Sequence, residues 1–404
     1  MKKKKTKWIK FRHKVVTGIV RFVLRPYCRL VYGVKAEPFR QQEKRPYLIL
    51  YNHQTTFDQF FLGISFKGPV YYVATEDIFS NGFVSSLIRW LVNPIPIKKQ
   101  TGDVAAVKNC IRVSREGGSI AIAPEGNRTY SGRTEYMSPA IASLARMMKM
   151  PIALYRIEGG YGVQPRWSDG VRRGRMRSYV SEVILPGEYE NMTNDELLER
   201  IVTGLQVNED CADGLFRSKK RAEYLERAMY VCPFCGLAKF ESKGAESRCL
   251  SCGKTILYGE DKRITGKDCD FPFEFVAQWY DYQKKFVNAL DVTADVQKPL
   301  FEDRANLSEV IVYKRKELLR KDAHIRLYGD RVAIDEDGGD PLILPFAEIT
   351  AAAVLGRNKL NLYHGGKVYQ FKGDKHFNAL KYVNICYRCK NIQKGDVHGE
   401  FLGL

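Results

Sequence analysis

Apolar residues in this chain gather in short runs that end in charged turns, and the runs alternate with stretches of helical periodicity. Residues 46–51, 119–124 and 151–157 are runs of the kind that form buried strands. Residues 103–115 and 140–148 repeat apolar positions at helical spacing. Strands alternating with helices predict an α/β domain with a mixed sheet flanked by helices. The second half is patterned differently. Over 271–290, Phe275, Trp279, Tyr282 and Phe286 share one helical face, where packing is their expected role. Six short runs follow, at 323–328, 331–334, 341–346, 351–355, 359–363 and 367–371. Glycine-rich turns such as Gly338-Gly339 and Gly365-Gly366 separate them, and a helix over 375–390 closes the chain.

The N-terminal segment carries its own pattern. Lys2, Lys3, Lys4, Lys5, Lys7, Lys10, Arg12 and Lys14 crowd the start, and no acidic residue precedes Glu37. Lys14, Arg21, Arg25 and Arg29 recur at helical spacing, with Val15, Val16, Ile19, Val20, Phe22, Val23, Leu24, Leu30 and Val31 between them. The pattern predicts a basic amphipathic helix, cations in one stripe and aliphatics over the rest, lying in the headgroup plane of a membrane. Each cation near an anionic leaflet adds about 1 kcal/mol. A helix packed on the domain core behind a solvated lysine run is the other arrangement that this pattern allows. Residues 15–32 are interrupted by Arg21, Arg25, Pro26 and Arg29, so no spanning helix is predicted. No signal peptide is expected either.

Composition narrows the partners. At 404 residues and 45% hydrophobic content, two or three folded domains are expected. A net charge of +19 implies a polyanionic partner, nucleic acid or an anionic lipid surface, or an anionic substrate. No RNP-type motif or recognition helix supports nucleic acid, and the expected partner is an anionic membrane surface, contacted peripherally from the cytoplasmic face.

Candidate chemistry sits where the first strands end. The run 46–51 leads into Asn52-His53, and Thr55-Thr56-Phe57-Asp58 then caps an apolar segment. His53 is thereby placed on a strand-to-helix turn, with Asp58 just over one helical turn later. A carboxylate there can fix the imidazole tautomer and stabilise its cation: a base and its orienter with no nucleophile in the protein. The run 119–124 also ends in a charged turn, Glu125-Gly126-Asn127-Arg128-Thr129. Gly126 permits close backbone approach, Arg128 offers a forked donor and Thr129 a hydroxyl, a set suited to phosphate, though an ordinary solvated loop fits the same residues. Lys98-Lys99 adds two cations between these turns. No G-x-S-x-G elbow for a serine hydrolase is present.

These blocks, Asn52-His53 with Asp58, the Lys99 region, Glu125 to Thr129, and Pro151-Ile152, occur in the order found in the glycerolipid acyltransferases, which this half of the chain resembles. The resemblance, to lysophosphatidate (1-acylglycerol-3-phosphate) acyltransferases in particular, implies catalytic His53 and Asp58. The base would deprotonate a lysophospholipid hydroxyl attacking the thioester of acyl-CoA or acyl-acyl-carrier protein. It implies substrate binding by Lys99, Glu125, Gly126, Arg128 and Thr129, and no cofactor for the acyl transfer. Thr55, Lys99, Asn127 and Thr129 depart from the family's usual Ser, Arg, Thr and Ser, which leaves the acceptor open between lysophosphatidate and another lysolipid or glycolipid. A membrane-bound scaffold or binding protein is the alternative from a different class.

Cys232-Pro-Phe-Cys235 and Cys249-Leu-Ser-Cys252 are CxxC pairs, each followed by glycine. Their spacing predicts a zinc ribbon holding one structural Zn2+, with four thiolates and no open coordination position. Cys386 and Cys389 share the CxxC spacing but fall on a predicted helix, where they are expected to be core residues. The strand run with its closing helix resembles a pleckstrin-homology-like (GRAM-like) barrel. The expected plan is a membrane-binding segment (1–35), an α/β acyltransferase domain (36–215), a linker helix (216–230), a zinc ribbon (231–258), a connecting helical segment (259–304) and the β-rich barrel with its C-terminal helix (305–404).

Overall fold

The computed structural model describes residues 7–43, 46–98, 103–211, 213–311, 314–336 and 339–396. Its first half runs from helix α1 (Phe11–Val31) through β1 (Val34–Ala36), β2 (Leu48–Tyr51), α2 (Asp58–Ser65), β3 (Val70–Thr75), α3 (Phe83–Leu91), β4 (Ile95–Ile97), α4 (Val104–Arg115) and β5 (Ser119–Ile122). It continues with α5 (Ala140–Met148), β6 (Ile152–Glu158), α6 (Gly160–Val163), β7 (Met176–Ile184), α7 (Pro186–Tyr189) and α8 (Asn194–Leu205). The seven strands form one sheet in the order β1-β7-β6-β2-β5-β3-β4. All neighbours are parallel except β6 and β7, so the sheet is mixed.

Strand residues alternate between two buried faces. Leu48, Leu50, Ile120, Ile152 and Leu154 pack on one face with side chains of α4, α5 and α8. Ile49, Tyr51, Ala121, Ala153 and Tyr155 pack on the other with α2 and the end of α1. Because both faces are covered, the strands read as continuous apolar runs. The register pairs Leu50 with Ile122, which sets the turns leaving β2 and β5 side by side.

Helix α1 forms, but its arginines face differently from the sequence expectation. Arg21 donates from Nε to the Gly63 carbonyl (3.0 Å) and from its guanidinium to the Phe66 carbonyl, and Arg25 reaches the Ile64 carbonyl at 3.4 Å. These are last-turn carbonyls of α2, at its negative dipole end, which attract cations. Two cations assigned to headgroups therefore cap a neighbouring helix. The apolar side of α1 faces outward, with Phe22 84% and Leu30 83% exposed. Lys2 to Lys5 lie outside the described residues. No described helix is long and apolar enough to cross a membrane.

In the second half, β8 (Val231–Cys232) pairs with β9 (Gly236–Leu237), and β10 (Phe240–Lys243), β11 (Glu246–Cys249), β12 (Thr255–Tyr258) and β13 (Ile264–Gly266) make a four-stranded antiparallel sheet. That sheet extends past residue 258, the expected end of the ribbon. Helix α9 (Val276–Ala289) follows. The remaining strands are β14 (Phe301–Ile311), β15 (Arg315–Leu327), β16 (Arg331–Glu336), β17 (Gly339–Pro345), β18 (Ile349–Leu355), β19 (Lys359–His364) and β20 (Lys367–Gly373), ahead of α10 (Leu380–Gln393). They form a curled antiparallel half-barrel in the order β17-β16-β15-β14-β20-β19-β18, with α10 against β18 and β19.

The expected linker helix over 216–230 is absent. A single 3₁₀ turn stands at Leu225–Arg227, and Tyr224 before it sits at φ +72°. Residues Ala228, Met229, Tyr230 and Val231 are all buried, a continuous run with no helical face. They enter an apolar core shared by the cysteine-rich sheet, α9, the half-barrel, and Tyr130 and Trp167 of the first half. Gln283 and Trp279 of α9 fasten this run. Gln283 Oε1 accepts from Tyr230 N and Val231 N, and Trp279 Nε1 donates to the Val231 carbonyl at 2.8 Å.

Candidate active site

His53 leaves the C-terminal end of β2, and Asp58 opens α2. His53 Nδ1 and Asp58 Oδ2 are 2.7 Å apart. The fully buried carboxylate also accepts Gln54 N at 2.7 Å, Thr55 N at 2.9 Å and Thr55 Oγ1 at 2.7 Å. An ionised carboxylate only accepts, so the facing Nδ1 carries the proton and Nε2 is the basic nitrogen, a tautomer assigned from this contact. Thr55 supplies the hydroxyl that a serine would. Asn52 anchors the turn, with its Oδ1 accepting Ile157 N and its Nδ2 donating to Ile157 O, both across to β6. The His53 side chain is 24% exposed. Burial, above all, holds its imidazole below the ordinary 6.5; Asp58 opposes that shift, while Arg128 and Arg166 add to it.

The turn after β5 is bound directly to this one. His53 N donates to Glu125 Oε1 at 2.9 Å, and Thr129 N donates to His53 O at 3.1 Å. Glu125 Oε2 accepts Glu135 N at 2.9 Å. Both Glu125 oxygens are thus committed to backbone amides, and burial pushes its carboxyl up to about 8. Thr129 Oγ1 accepts Ser131 N and Gly132 N. Glu125 and Thr129, expected at the substrate, use these polar atoms to shape and join the two turns. Gly126 stands at φ +67°, a conformation that glycine adopts without strain.

Arg128 remains as the cation of the turn. It is 7% exposed, and its Nη1 has no hydrogen-bond partner among the described residues. Burial, then Arg166 and Arg357, hold its guanidinium down to about 9. Arg166, on the segment after α6, is equally buried. It donates to the Arg128 carbonyl (2.9 Å) and to Asn127 Oδ1 (3.0 Å), and stacks over Tyr130 at 4.1 Å. Nothing in the spacing around Arg166 marks it in the sequence. Lys99 lies outside the described residues.

The sulfurs of Cys232, Cys235, Cys249 and Cys252 lie within 4.8 Å of one another, with Cys232–Cys252 at 3.7 Å and Cys235–Cys249 at 3.6 Å. Four thiolates at about 2.3 Å from a tetrahedral zinc would stand roughly 3.8 Å apart, so the cluster has the dimensions of a closed metal site. Gly236 and Gly253 follow the two knuckles at φ +81° and +76°, turning the chain around the cluster. Cys386 and Cys389 are fully buried core residues.

Residues 34–157 match the family model described as Acyltransferase. This stretch is an acyltransferase-family domain. Over 160 residues the chain is 19% identical to a 1-acyl-sn-glycerol-3-phosphate acyltransferase of Bacillus subtilis (strain 168), covering 39% of this chain and 77% of that protein. Over 171 residues it is 23% identical to the chloroplastic 1-acyl-sn-glycerol-3-phosphate acyltransferase BAT2 of Brassica napus, covering 40% of this chain and about half (47%) of that one. Among solved structures, the 1-acyl-sn-glycerophosphate acyltransferase PlsC of Thermotoga maritima aligns with a TM-score of 0.42 and 17% identity, over 48% of this chain and 78% of that chain. Both turns of the candidate site fall inside the acyltransferase-family domain.

Proposed function

We propose that this protein transfers a fatty acyl group from an acyl thioester, acyl-CoA or acyl-acyl-carrier protein, to the free hydroxyl of a lysophospholipid, lysophosphatidate being the expected acceptor. The observation that carries this reading is the Asp58-oriented, partly exposed His53 on a turn bonded to the one that holds the buried Arg128, whose Nη1 has no hydrogen-bond partner among the described residues. His53 Nε2 takes the proton of the acceptor hydroxyl as its oxygen attacks the thioester carbonyl. The tetrahedral intermediate collapses, the C–S bond breaks, and the departing sulfur receives that proton from His53. Arg128 and Arg166 hold the acceptor's phosphate. The test is acyl transfer by the purified chain from a radiolabelled thioester to a panel of lysolipids. Labelled phosphatidate from lysophosphatidate is the expected product, and no product with any acceptor would refute the reading.

Membrane docking belongs to the same proposal. Alongside the outward face of α1, α3 leaves Phe83 81% exposed, with Val84, Leu87 and Trp90 also exposed. Arg12 joins the two helices, stacking on Trp90 at 5.0 Å and donating to its carbonyl. Lys7, Lys10, Lys14 and Arg29 are exposed on or next to α1. Apolar side chains with cations beside them suit an anionic bilayer surface. Each large side chain withdrawn from water contributes about 1.5–3 kcal/mol, so changing Phe22, Leu30, Phe83 and Trp90 together to serine should weaken vesicle binding by at least about a hundredfold. Unchanged flotation with anionic vesicles would place the membrane contact elsewhere. The four-cysteine cluster we assign to one structural Zn2+, and the half-barrel, from its strand order and closing helix, to a pleckstrin-homology-like module.

A further inference from the structure

The half-barrel reaches the candidate active site. Arg166, whose guanidinium already bonds the Arg128 carbonyl and Asn127, also contacts the Val354 carbonyl at the end of β18. The turn that follows is built rigidly. Gly356 takes φ +60°, and Asn358 Nδ2 donates to the Gly373 and Asp374 carbonyls (2.9 and 2.7 Å). At its tip stands Arg357. One end of its guanidinium is 3.3 Å from Asp169, a carboxylate it shares with the fully buried Arg227. Its buried Nε has no partner among the described residues.

Arg166 thus joins the Arg128 turn to the end of β18, three residues before Arg357, whose charge is near enough to be felt at Arg128, and the local neutralisation of these guanidiniums is poor. Arg166 is met by two carbonyl oxygens, an amide oxygen and an aromatic face, and the nine-tenths-buried Arg128 has no partner for Nη1 among the described residues. Arg357 has half of a shared carboxylate. Two buried guanidiniums with no carboxylate bonded to them among the described residues, and a third, partly exposed one that shares its carboxylate, mark a place built for an incoming anion, and more guanidiniums than one suit a doubly charged phosphate with several acceptor oxygens.

We propose that Arg357, delivered by the half-barrel, is a third guanidinium of the acceptor's phosphate pocket beside Arg128 and Arg166, and that it selects acceptors bearing a phosphate monoester. This inference rests on the acyltransferase reading for the identity of the acceptor, but not for the anion pocket itself. The C-terminal module then sets specificity in the first domain's site.

Binding separates this idea from the catalytic one. The full-length His53→Ala chain turns nothing over by that mechanism, and its affinity for lysophosphatidate in detergent is measured with and without Arg357→Gln. The added substitution should weaken lysophosphatidate by about tenfold or more, as expected for a lost charge-assisted contact, and leave lysophosphatidylcholine within about twofold. A parallel titration with sn-glycerol 3-phosphate should show the same loss, which assigns the contact to the phosphate; full retention there would assign it to the lipid chain and overturn the proposal. Equal weakening of both lipids, or of neither, overturns it as well. Arg357→Lys, which keeps the charge and loses the fork, should fall between wild type and Arg357→Gln, and a thermal melt within a few degrees of the parent verifies that each variant is folded. If the wild-type chain transfers no acyl group and the binding difference persists, the catalytic reading fails and this one stands.

Discussion

Replacing His53 with alanine is expected to lower acyl transfer by about 10²–10⁴-fold, the usual contribution of a positioned general base, with little change in melting temperature. The small stability effect follows because the turn is held by Glu125, Asn52 and the His53 backbone rather than by the imidazole. Asp58→Asn should be nearly as severe and should also destabilise, since that carboxylate gathers the Gln54 and Thr55 amides and the Thr55 hydroxyl. The pH dependence has a fixed sign. Only neutral His53 can accept a proton, and burial holds its pKa below 6.5. The rate should therefore be level at neutral pH, and kcat/KM should fall on acidification only below 6.5. In Asp58→Asn the residual activity should lose its acid limb at still lower pH, because a partner that favours the imidazolium is gone. An acid limb above 6.5, or full activity in His53→Ala, would remove the base from the mechanism.

The second large effect is expected at the cysteine cluster. The purified chain should carry about one zinc, which Cys249→Ser should lose. Structural zinc contributes apparent binding energies of about 10–16 kcal/mol in small domains, comparable to the whole stability of a folded protein at about 5–15 kcal/mol. Because the cluster's sheet shares its core with α9 and the half-barrel, loss of metal should unfold more than the ribbon. Circular dichroism and limited proteolysis of the chelated chain should show the half-barrel opening as well. A metal-free chain with an unaltered melting curve would mean that packing alone holds this region.

What the sequence made legible follows from how locally each feature is encoded. The strands β2, β5 and β6 are buried on both faces and stand out as apolar runs, and the two CxxC pairs lie close enough to be read as one cluster. His53 and Asp58 are five residues apart on one turn, so their pairing is a local matter. The hairpin of β14 with the first part of β15 went unread because Arg315 to Asp322 is charged and largely exposed, with no alternation to mark a strand. Helix α3 is short and turns its apolar side outward, so it has no core-facing stripe to find. Glu125 and Thr129 were legible as motif residues but not as ties between turns, since their partners are backbone atoms of other segments. Arg166 and Arg357 reach Arg128 only through the tertiary fold.

The shared core also bears on how this chain can evolve. Tyr130, two residues beyond Arg128, stacks on Tyr280 of α9 with ring centres 6.3 Å apart, and Trp167, next to Arg166, lies edge-on to Tyr258 of the cysteine-rich sheet. Arg128 and Arg166, the arginines proposed to hold the acceptor's phosphate, therefore have aromatic neighbours that touch the C-terminal half. That half is not a cassette that recombination could exchange for another tail. A lineage altering α9 or β12 would feel the change at the arginines, so the two halves are bound to drift together.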